Sequence, residues 1–352
     1  MSLLDETCTA IAAVDPTVAA AAQRRLDGKT KPRRSLGRLE DLACRVAAIR
    51  GTSAPDPPVK AIIVMGADNG VAEEGVSAYP QEVTRQMLLN FAGGGAAINV
   101  LARHAGARLL VVDVGVREPL PALPDIRAER IGRGTSNFVH GPAMSRAQAR
   151  RALECGIGIA RELAREGTTL LGIGDMGIAN TTAASALTAV FTGAPVEAVT
   201  GRGTGIDDAG LQRKIDVIRR ALAINRPDDG DPLDALAKVG GFEIAGLAGV
   251  VLGGAACRVP VMLDGFITGA AALAAVRLVP EAAGYLIASH QSVEAGHRIV
   301  LEALGLQPLL DLALRLGEGS GAALAMPLVD AALRILHEMA TFTAAGVSDA
   351  GV

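Results

Sequence analysis

The sequence is poor in aromatic residues and carries almost no net charge. Of its 352 residues only 2% are aromatic, tryptophan is absent, and the formal net charge is −3. Proteins that bind single-stranded nucleic acids stack the bases on aromatic side chains in a basic groove. Anionic membranes, for their part, attract clusters of Lys and Arg. The composition therefore argues against nucleic acid or a membrane as the main partner.

The chain also lacks a membrane-length apolar segment, a secretory signal and a metal-binding motif. Its longest uncharged run, residues 176–196, is interrupted by threonines, glycines and a proline, whereas a membrane-spanning helix needs about 20 mostly apolar residues. The first residues are acidic rather than basic, unlike a signal peptide. Four cysteines without a CxxC pair and five histidines without HExxH spacing predict reduced thiols and no metal site. We therefore expect a cytoplasmic protein with neither metal nor cofactor.

What the sequence does contain is a series of short apolar runs separated by helical patterns. This alternation is typical of a parallel sheet that is covered by helices on both faces. It predicts an α/β fold with a three-layer, Rossmann-like large domain that binds its ligands at the carboxyl ends of the strands. The predicted strands are residues 60–66, 108–115, 168–174, 195–201, 259–265 and 284–289.

The two ends of the chain do not follow that alternation. Residues 1–57 contain a helical spacing of leucines, and the proline-rich stretch 53–58 then interrupts the pattern. A second helical pattern covers residues 327–345. We expect residues 1–57 and 327–352 to form a small helical domain, and residues 58–326 to form the large α/β catalytic domain.

The segment GIGDMGIANTTAASAL (172–187) is predicted to lead from a strand into a helix. Free N–H groups at such a helix start form a site for a phosphate group, although an ordinary strand-to-helix turn has the same pattern. Gly172, Gly174 and Gly177 also match the GxGxxG pattern of a nicotinamide-dinucleotide-dependent oxidoreductase. For that alternative the ribose-binding acid would be Glu197, which falls near the start of its predicted strand rather than near the end.

A single acid, Glu318, stands between two glycines in the stretch RLGEGSGAALAMP (315–327). The neighbouring Leu316, Leu324 and Met326 would exclude water from its carboxylate. Loss of solvation raises the pKa of a glutamate from about 4.3 toward the range of a general base. The alternative is an exposed acid in a glycine turn that caps the following helix.

Other polar residues allow both a functional and a structural interpretation. Lys214 lies on a helical pattern, where most lysines are exposed, and Asp264 follows a predicted strand. Ser289 and His290 also follow a strand, and His290 could bind a ligand or make a structural hydrogen bond. The polar loop 66–87, like residues 132–145, is either a solvated connection or a part of the site.

Five motifs, in their order along the chain, resemble those of the nicotinate-nucleotide–dimethylbenzimidazole phosphoribosyltransferase family. They are KPRRSLGRLE, GIANTTAASAL, GGFEIAGLAGVVLGGAA, PVMLDGF and LGEGSGAALAMP, and the similarity extends from about Leu26 to Thr343. The resemblance implies transfer of the 5-phosphoribosyl group of nicotinate mononucleotide to 5,6-dimethylbenzimidazole or a related base. The products are nicotinate and α-ribazole 5′-phosphate, a precursor of the lower ligand of cobalamin. The resemblance also implies a homodimer. A non-catalytic base-binding protein of the same fold is the alternative.

The resemblance also implies roles for individual residues. Glu318 matches the catalytic base, Lys214 a functional lysine near the nucleotide, and Asp175 stands where the family has an active-site glutamate. Positions that match the nucleotide site are Gly177, Ile178, Ala179, Asn180 and Thr181. Further predicted substrate-binding residues are Tyr79, Met87 and Leu316, which match the benzimidazole pocket, together with Gln86, Asp264, Ser289 and His290.

Some positions depart from the family pattern. Asn69 stands where the family has histidine, and Tyr79 and Met87 replace small or amide side chains next to the base. These differences leave the preferred acceptor open between dimethylbenzimidazole, adenine and phenols. They do not change the expected type of reaction.

Overall fold

Six parallel strands form one sheet in the order β3-β2-β1-β4-β5-β6. The structure, a computed structural model, describes residues 1–348, so residues 349–352 of the predicted small domain lie outside the described residues. This strand order matches that of doubly wound α/β sheets, in which ligands bind where the order reverses, here between β1 and β4. The strands are β1 Lys60–Ala67, β2 Arg108–Gly115, β3 Ile126–Ala128, β4 Leu170–Met176, β5 Val261–Leu263 and β6 Leu286–Ala288.

Helices connect the strands and also form both ends of the described chain. Short 3₁₀ segments occupy Gly70–Glu74 and Pro280–Tyr285. The first helices are α1 Leu3–Ala10, α2 Pro16–Asp27, α3 Arg38–Arg50, α4 Glu82–Ala92, α5 Ala97–Ala105, α6 Arg146–Arg165, α7 Asn180–Thr192 and α8 Val196–Val199. The others are α9 Asp208–Asn225, α10 Pro232–Val239, α11 Phe242–Ala256, α12 Phe266–Leu278, α13 Ala295–Ala303, α14 Ser320–Glu338 and α15 Phe342–Ala345.

Both faces of the sheet are buried, which confirms the predicted three-layer α/β fold. In the central strand β1, Ile63 and Met65 join the apolar core on one face, and Ile62 and Val64 join the core on the other. Helices α11 and α12 contact the sheet on the first face, while α5 and α14 cover the second. Burial on both faces explains why the strands are continuous apolar runs instead of alternating ones.

One predicted strand is wrong and one strand was missed. Residues 195–201 contain the short helix α8, in which the Thr200 hydroxyl donates to the carbonyl of Val196 at 2.6 Å. Pro195, Glu197 and Ala198 are exposed while Val199 is buried, so the segment does not contain the continuous buried apolar run of a central strand. Strand β3 lies at the edge of the sheet and buries only Ile126, so it leaves no apolar run in the sequence, unlike the equally short but fully buried β5 and β6.

The helices near the two ends of the chain pack on different parts of the sheet. Helices α2, α3 and α14 contact one another, whereas α1 packs on α6 and α11 across the opposite face. Helix α14 runs without a break through the predicted boundary at residues 326 and 327, and it also contacts β1, β4 and β5. The division into two domains therefore stays a prediction. No helix among residues 1–348 is long and apolar enough to cross a membrane.

Candidate active site

A cleft opens beyond the carboxyl ends of β4, β5 and β6. Its walls come from the residues that follow these strands, from the first turn of α7 and from the segment that precedes α14. The cleft therefore lies at the edge of the sheet where the fold predicts ligands. Its lining includes seven of the predicted site residues, namely Asp175, Gly177, Ile178, Asn180, Thr181, His290 and Leu316.

Glu318 lies in a turn of three consecutive residues with left-handed backbone conformation. The φ angles are +85° at Gly317, +63° at Glu318 and +88° at Gly319. Glycine adopts this region freely, but a glutamate held there is strained and needs support from its surroundings. Glu318 is only 6% exposed, and it lies directly behind the cleft wall, which its neighbour Gly317 lines and Glu318 itself does not. The alternative of an exposed acid is therefore wrong.

Three backbone N–H groups in and after this turn donate hydrogen bonds that hold it in place. The N–H of Glu318 donates to the carbonyl of Asp175 at 3.2 Å. The two carboxylate oxygens of Asp264 accept from the N–H groups of Gly319 at 3.0 Å and of Gly321 at 2.6 Å. Asp264 therefore provides the N-terminal cap of α14, a role that carboxylates fill well because of the helix dipole.

The glycines of the GxGxxG pattern make room for this turn and its surroundings. A Cβ atom on Gly174 would lie 2.3 Å from the nitrogen of Gly319, and one on Gly172 would lie 2.8 Å from the Met326 side chain. A Cβ on Gly177 would lie 2.6 Å from the carbonyl of Ala67. These glycines are thus packed against protein atoms. The oxidoreductase alternative also needed Glu197 as a ribose-binding acid near the end of a strand. Glu197 instead lies on α8 and pairs with an arginine.

The electrostatic surroundings of Glu318 favour its protonated form. Burial raises the pKa of Glu318, and the negative charge of Asp264 raises it further, while the N–H of Ile98 partly opposes both effects. The Oε2 atom of Glu318 is buried and has no hydrogen-bond partner among residues 1–348. The direction of this shift agrees with the sequence expectation, but Leu316, which was expected to exclude water from Glu318, is itself 55% exposed. The carboxylate has an oxygen available for a proton.

Asp175, at the end of β4, is a second buried acid next to the same turn. Burial and the charges of Asp264 and Glu318 raise the pKa of Asp175 to about 7, against a lowering by the Asn180 amide. That amide donates to Oδ2 of Asp175 at 2.8 Å. The acid therefore joins the Glu318 turn to the first turn of α7.

The first turn of α7 forms the neighbouring wall of the cleft. Ala179, which precedes the helix, has a left-handed φ of +70°, and the N–H of Ile178 donates to the Thr84 hydroxyl of α4 at 3.1 Å. Asn180 and Thr181 line the cleft at the positive end of the helix dipole. This wall can hold an anionic group such as a phosphate.

Lys214, on α9, supports that wall from behind. It is fully buried, and its Nζ donates to the Thr181 hydroxyl at 2.7 Å and to the carbonyl of Gly201 at 3.3 Å. Burial lowers its pKa to about 8, although the negative charge of Glu294 opposes this. The alternative of an exposed surface lysine is therefore wrong.

Ser289 and His290 lie beside Asp264. The Ser289 hydroxyl donates to the backbone carbonyl of Asp264 at 3.2 Å, and His290 Nε2 is 3.6 Å from the Asp264 carboxylate. Burial alone would lower the pKa of His290, but its interaction with Asp264 raises it above the ordinary value. Of these three residues only His290 lines the cleft. Ser289 and Asp264 thus contact the supporting structure, and their predicted contact with substrate stays a prediction.

The structure does not bring Tyr79, Gln86 and Met87 into the lining of the cleft. Tyr79 is 55% exposed on a loop whose N–H at Ala78 donates to the Thr204 hydroxyl of the cleft at 3.3 Å. On α4, Gln86 is exposed and Met87 packs at the margin of the apolar core. Their role in binding the base stays a prediction.

Several residues of the site were not predicted from the sequence. Glu294 and Arg315 line the cleft. Behind Gly177, the Asn69 amide donates to the fully buried Glu243 at 2.9 Å, and burial raises the pKa of Glu243 to about 8. A lone acid within the apolar α11 was a usable signal, because unpaired carboxylates are rarely buried without a role. Residues 1–348 contain no group of three or more His, Cys, Asp or Glu side chains arranged to hold a metal ion.

The fold and the cleft define an α/β enzyme in which two buried acids adjoin the first turn of a helix. A family model described as phosphoribosyltransferase matches residues 11–347 of the chain. The chain therefore belongs to this phosphoribosyltransferase family, as the five sequence motifs predicted.

Relatives of similar length support this assignment. The protein of Roseiflexus sp. strain RS-1 is 59% identical over 348 residues, and that of Geobacter sulfurreducens is 55% identical over 349 residues; each match covers 99% of both chains. Both relatives are named nicotinate-nucleotide–dimethylbenzimidazole phosphoribosyltransferase. The crystal structure of CobT from Thermus thermophilus matches with a TM-score of 0.91 and 53% identity, over 94% of this chain and 99% of that one.

Proposed function

We propose that this protein transfers the 5-phosphoribosyl group of nicotinate mononucleotide to 5,6-dimethylbenzimidazole or a related base. The products are nicotinate and an α-ribazole-type 5′-phosphate, which is a precursor of the lower ligand of cobalamin. The observation that carries the proposal is the buried Glu318, with its raised pKa and unpartnered Oε2, next to the cleft. Relatives that carry this activity in their names match the chain over 99% of its length.

The acceptor needs a base, whereas the leaving group does not need an acid. The ring nitrogen of nicotinate mononucleotide is already cationic, so nicotinate departs without gaining a proton. Its departure develops positive charge on the ribose, as in other glycosyl transfers. The acceptor attacks C1′ through one ring nitrogen while its other nitrogen still carries a proton. Glu318 removes that proton, and its raised pKa suits it to this task near neutral pH.

The other end of the cleft suits the phosphate of the nucleotide. The start of α7 offers a positive dipole end, and Thr181 adds a hydroxyl that accepts from the buried Lys214 and can donate to the phosphate. Asp175, also predicted to be catalytic, lies between this wall and Glu318 and adds negative charge next to the developing cation. Attack from the face opposite nicotinate inverts the anomeric carbon and gives the α-linkage. Fixing both partners in line supplies much of the acceleration in such a reaction.

We also propose that the protein is a homodimer and that it acts in the cytoplasm. The family resemblance implies a homodimer, and the scattered cysteines are typical of a cytoplasmic protein. All four cysteines are free thiols in the structure. If Tyr79 and Met87 contact the base, as the family resemblance implies, their departure from the family pattern changes which acceptor is preferred.

One assay tests the reaction and ranks the acceptors. The protein is incubated with nicotinate mononucleotide and a panel of benzimidazoles, adenine and phenols, and free nicotinate and the ribosylated product are quantified. We expect nicotinate release that requires an acceptor and yields an α-linked product. Binding of the nucleotide or the base without release in any mixture would instead identify a non-catalytic base-binding protein.

A further inference from the structure

Glu294 is an acid of the cleft that the proposed reaction leaves without a role. It directly precedes α13 and lines the cleft together with Thr181 and Thr204. Its Oε2 atom is buried and has no hydrogen-bond partner among the residues that the structure describes. The charge of Lys214 interacts with Glu294, but Nζ of Lys214 donates its hydrogen bonds to Thr181 and Gly201 and not to this carboxylate.

The backbone around Glu294 is shaped to admit its carboxylate. A Cβ atom on Gly201 would lie 2.2 Å from Oε2 of Glu294, so a side chain there would displace the acid. The carbonyl of the same Gly201 accepts a hydrogen bond from Nζ of Lys214 at 3.3 Å. A Cβ on Gly203 would lie 2.9 Å from the Thr181 hydroxyl and 3.4 Å from Nζ of Lys214. Glu294 therefore lies beside the hydrogen-bond donors that suit the phosphate.

The chemistry of this neighbourhood restricts what Glu294 can bind. A carboxylate repels both the phosphate and the carboxylate of nicotinate mononucleotide, but it accepts strong hydrogen bonds from hydroxyl groups. The ribose hydroxyls are the neutral donors of that nucleotide, and they are covalently tied to the phosphate. Asp175 is less suited to them because its Oδ2 already accepts from Asn180.

We propose that Glu294 binds the ribose hydroxyls of the nucleotide and so selects ribonucleotides over deoxyribonucleotides. This inference rests on the proposed function and adds a determinant of specificity to it. Hydrogen bonds from a neutral donor to a charged group contribute enough to change kcat/KM by about 10- to 100-fold.

The test combines changes in the protein with changes in the substrate. The value of kcat/KM is measured for nicotinate mononucleotide and its 2′-deoxy and 3′-deoxy analogues, using the wild type, Glu294→Ala and Glu294→Gln. The matched control is Glu302→Ala, an exposed acid near the end of α13. For the wild type, we expect kcat/KM with at least one analogue to be about 10- to 100-fold lower than with the ribonucleotide. For the ribonucleotide, kcat/KM of Glu294→Ala should be lower than that of the wild type by a similar factor. The kcat/KM values of this variant for the three substrates should differ by less than about threefold.

Two results would overturn the inference. One is a wild type that uses both deoxy analogues as well as the ribonucleotide, which needs no variant and so does not depend on the folding of Glu294→Ala. The other is a folded Glu294→Ala, verified by its thermal unfolding, that discriminates as strongly as the wild type. A wild type that releases no nicotinate even from the ribonucleotide would instead overturn the proposed function, and this inference with it.

Discussion

The backbone N–H of Glu318 donates a hydrogen bond to the backbone carbonyl of Asp175 at 3.2 Å. This contact joins the turn before α14 to the end of β4, where the chain enters the first turn of α7. Two acids and the start of α7 therefore meet beside the cleft, and of the two acids Asp175 lines it. The account depends on this junction, because it fixes the proposed base relative to the nucleotide.

Asp264→Asn should slow turnover and move its pH dependence. The amide cannot accept from both N–H groups that the carboxylate caps, so the Glu318 turn loses support, and we expect kcat to fall by about tenfold or more. The charge of Asp264 also raises the pKa values of Glu318 and Asp175. Its removal lowers both values, so the acidic limb of the kcat profile should move to lower pH. The exposed Asp216→Asn is the control, and an effect confined to KM would contradict this role.

Gly174→Ala should disrupt the turn from the strand side. The added Cβ would lie 2.3 Å from the nitrogen of Gly319 and 2.4 Å from the carbonyl carbon of Glu318, and neither backbone atom can move without the turn. We expect lower activity and a lower free energy of unfolding, measured by urea denaturation. Gly158→Ala, in the middle of α6 with open space around the new Cβ, should keep full activity and gain about 0.5–1 kcal/mol. Equal behaviour of the two variants would refute the packing argument.

Lys214→Met should weaken binding of the nucleotide while preserving most of the buried volume. We expect KM for nicotinate mononucleotide to rise by about 10- to 100-fold, with little change in KM for the acceptor. Because the pKa of Lys214 is lowered to about 8, the wild-type KM for the nucleotide should also rise as the pH passes above 8. The KM of the variant should lack this rise. Lys238→Met, which removes a partly exposed ion pair with Asp234, serves as the control.

Glu243→Gln should change how stability depends on pH. The pKa of this buried acid is raised from 4.5 to about 8, so between these values the folded protein retains a proton that the unfolded chain has released. The free energy of unfolding of the wild type therefore falls as the pH rises through this window. Glutamine removes this contribution. The free energy of unfolding of Glu243→Gln minus that of the wild type should therefore be small near pH 5 and should increase up to pH 8.5. Urea denaturation of both proteins at both pH values measures this difference. The same difference at pH 5 and at pH 8.5 would argue against a protonated Glu243.

The sequence was most informative where local patterns determine structure. Five of the six strands were predicted because buried strands leave long apolar runs, and Glu318 was found because an acid between glycines is conspicuous. Strand β3 was missed because it is an edge strand with one buried residue, and helix α8 was missed because four residues are too few for a helical pattern. The role of Gly174 as a contact surface for the Glu318 turn depends on a tertiary contact that no local pattern records. Glu294 likewise resembles an ordinary helix-preceding acid until Gly201 and Lys214 are placed beside it.

The most direct test of the account is the turnover of Glu318→Gln. The amide keeps the size of the side chain and removes its ability to take a proton, and loss of a positioned base typically costs about 10²–10⁴-fold in rate. We expect kcat for nicotinate release with dimethylbenzimidazole to fall by that factor, while calorimetry still detects binding of nicotinate mononucleotide. A variant that releases nicotinate at nearly the wild-type rate would contradict the proposal that Glu318 is the base.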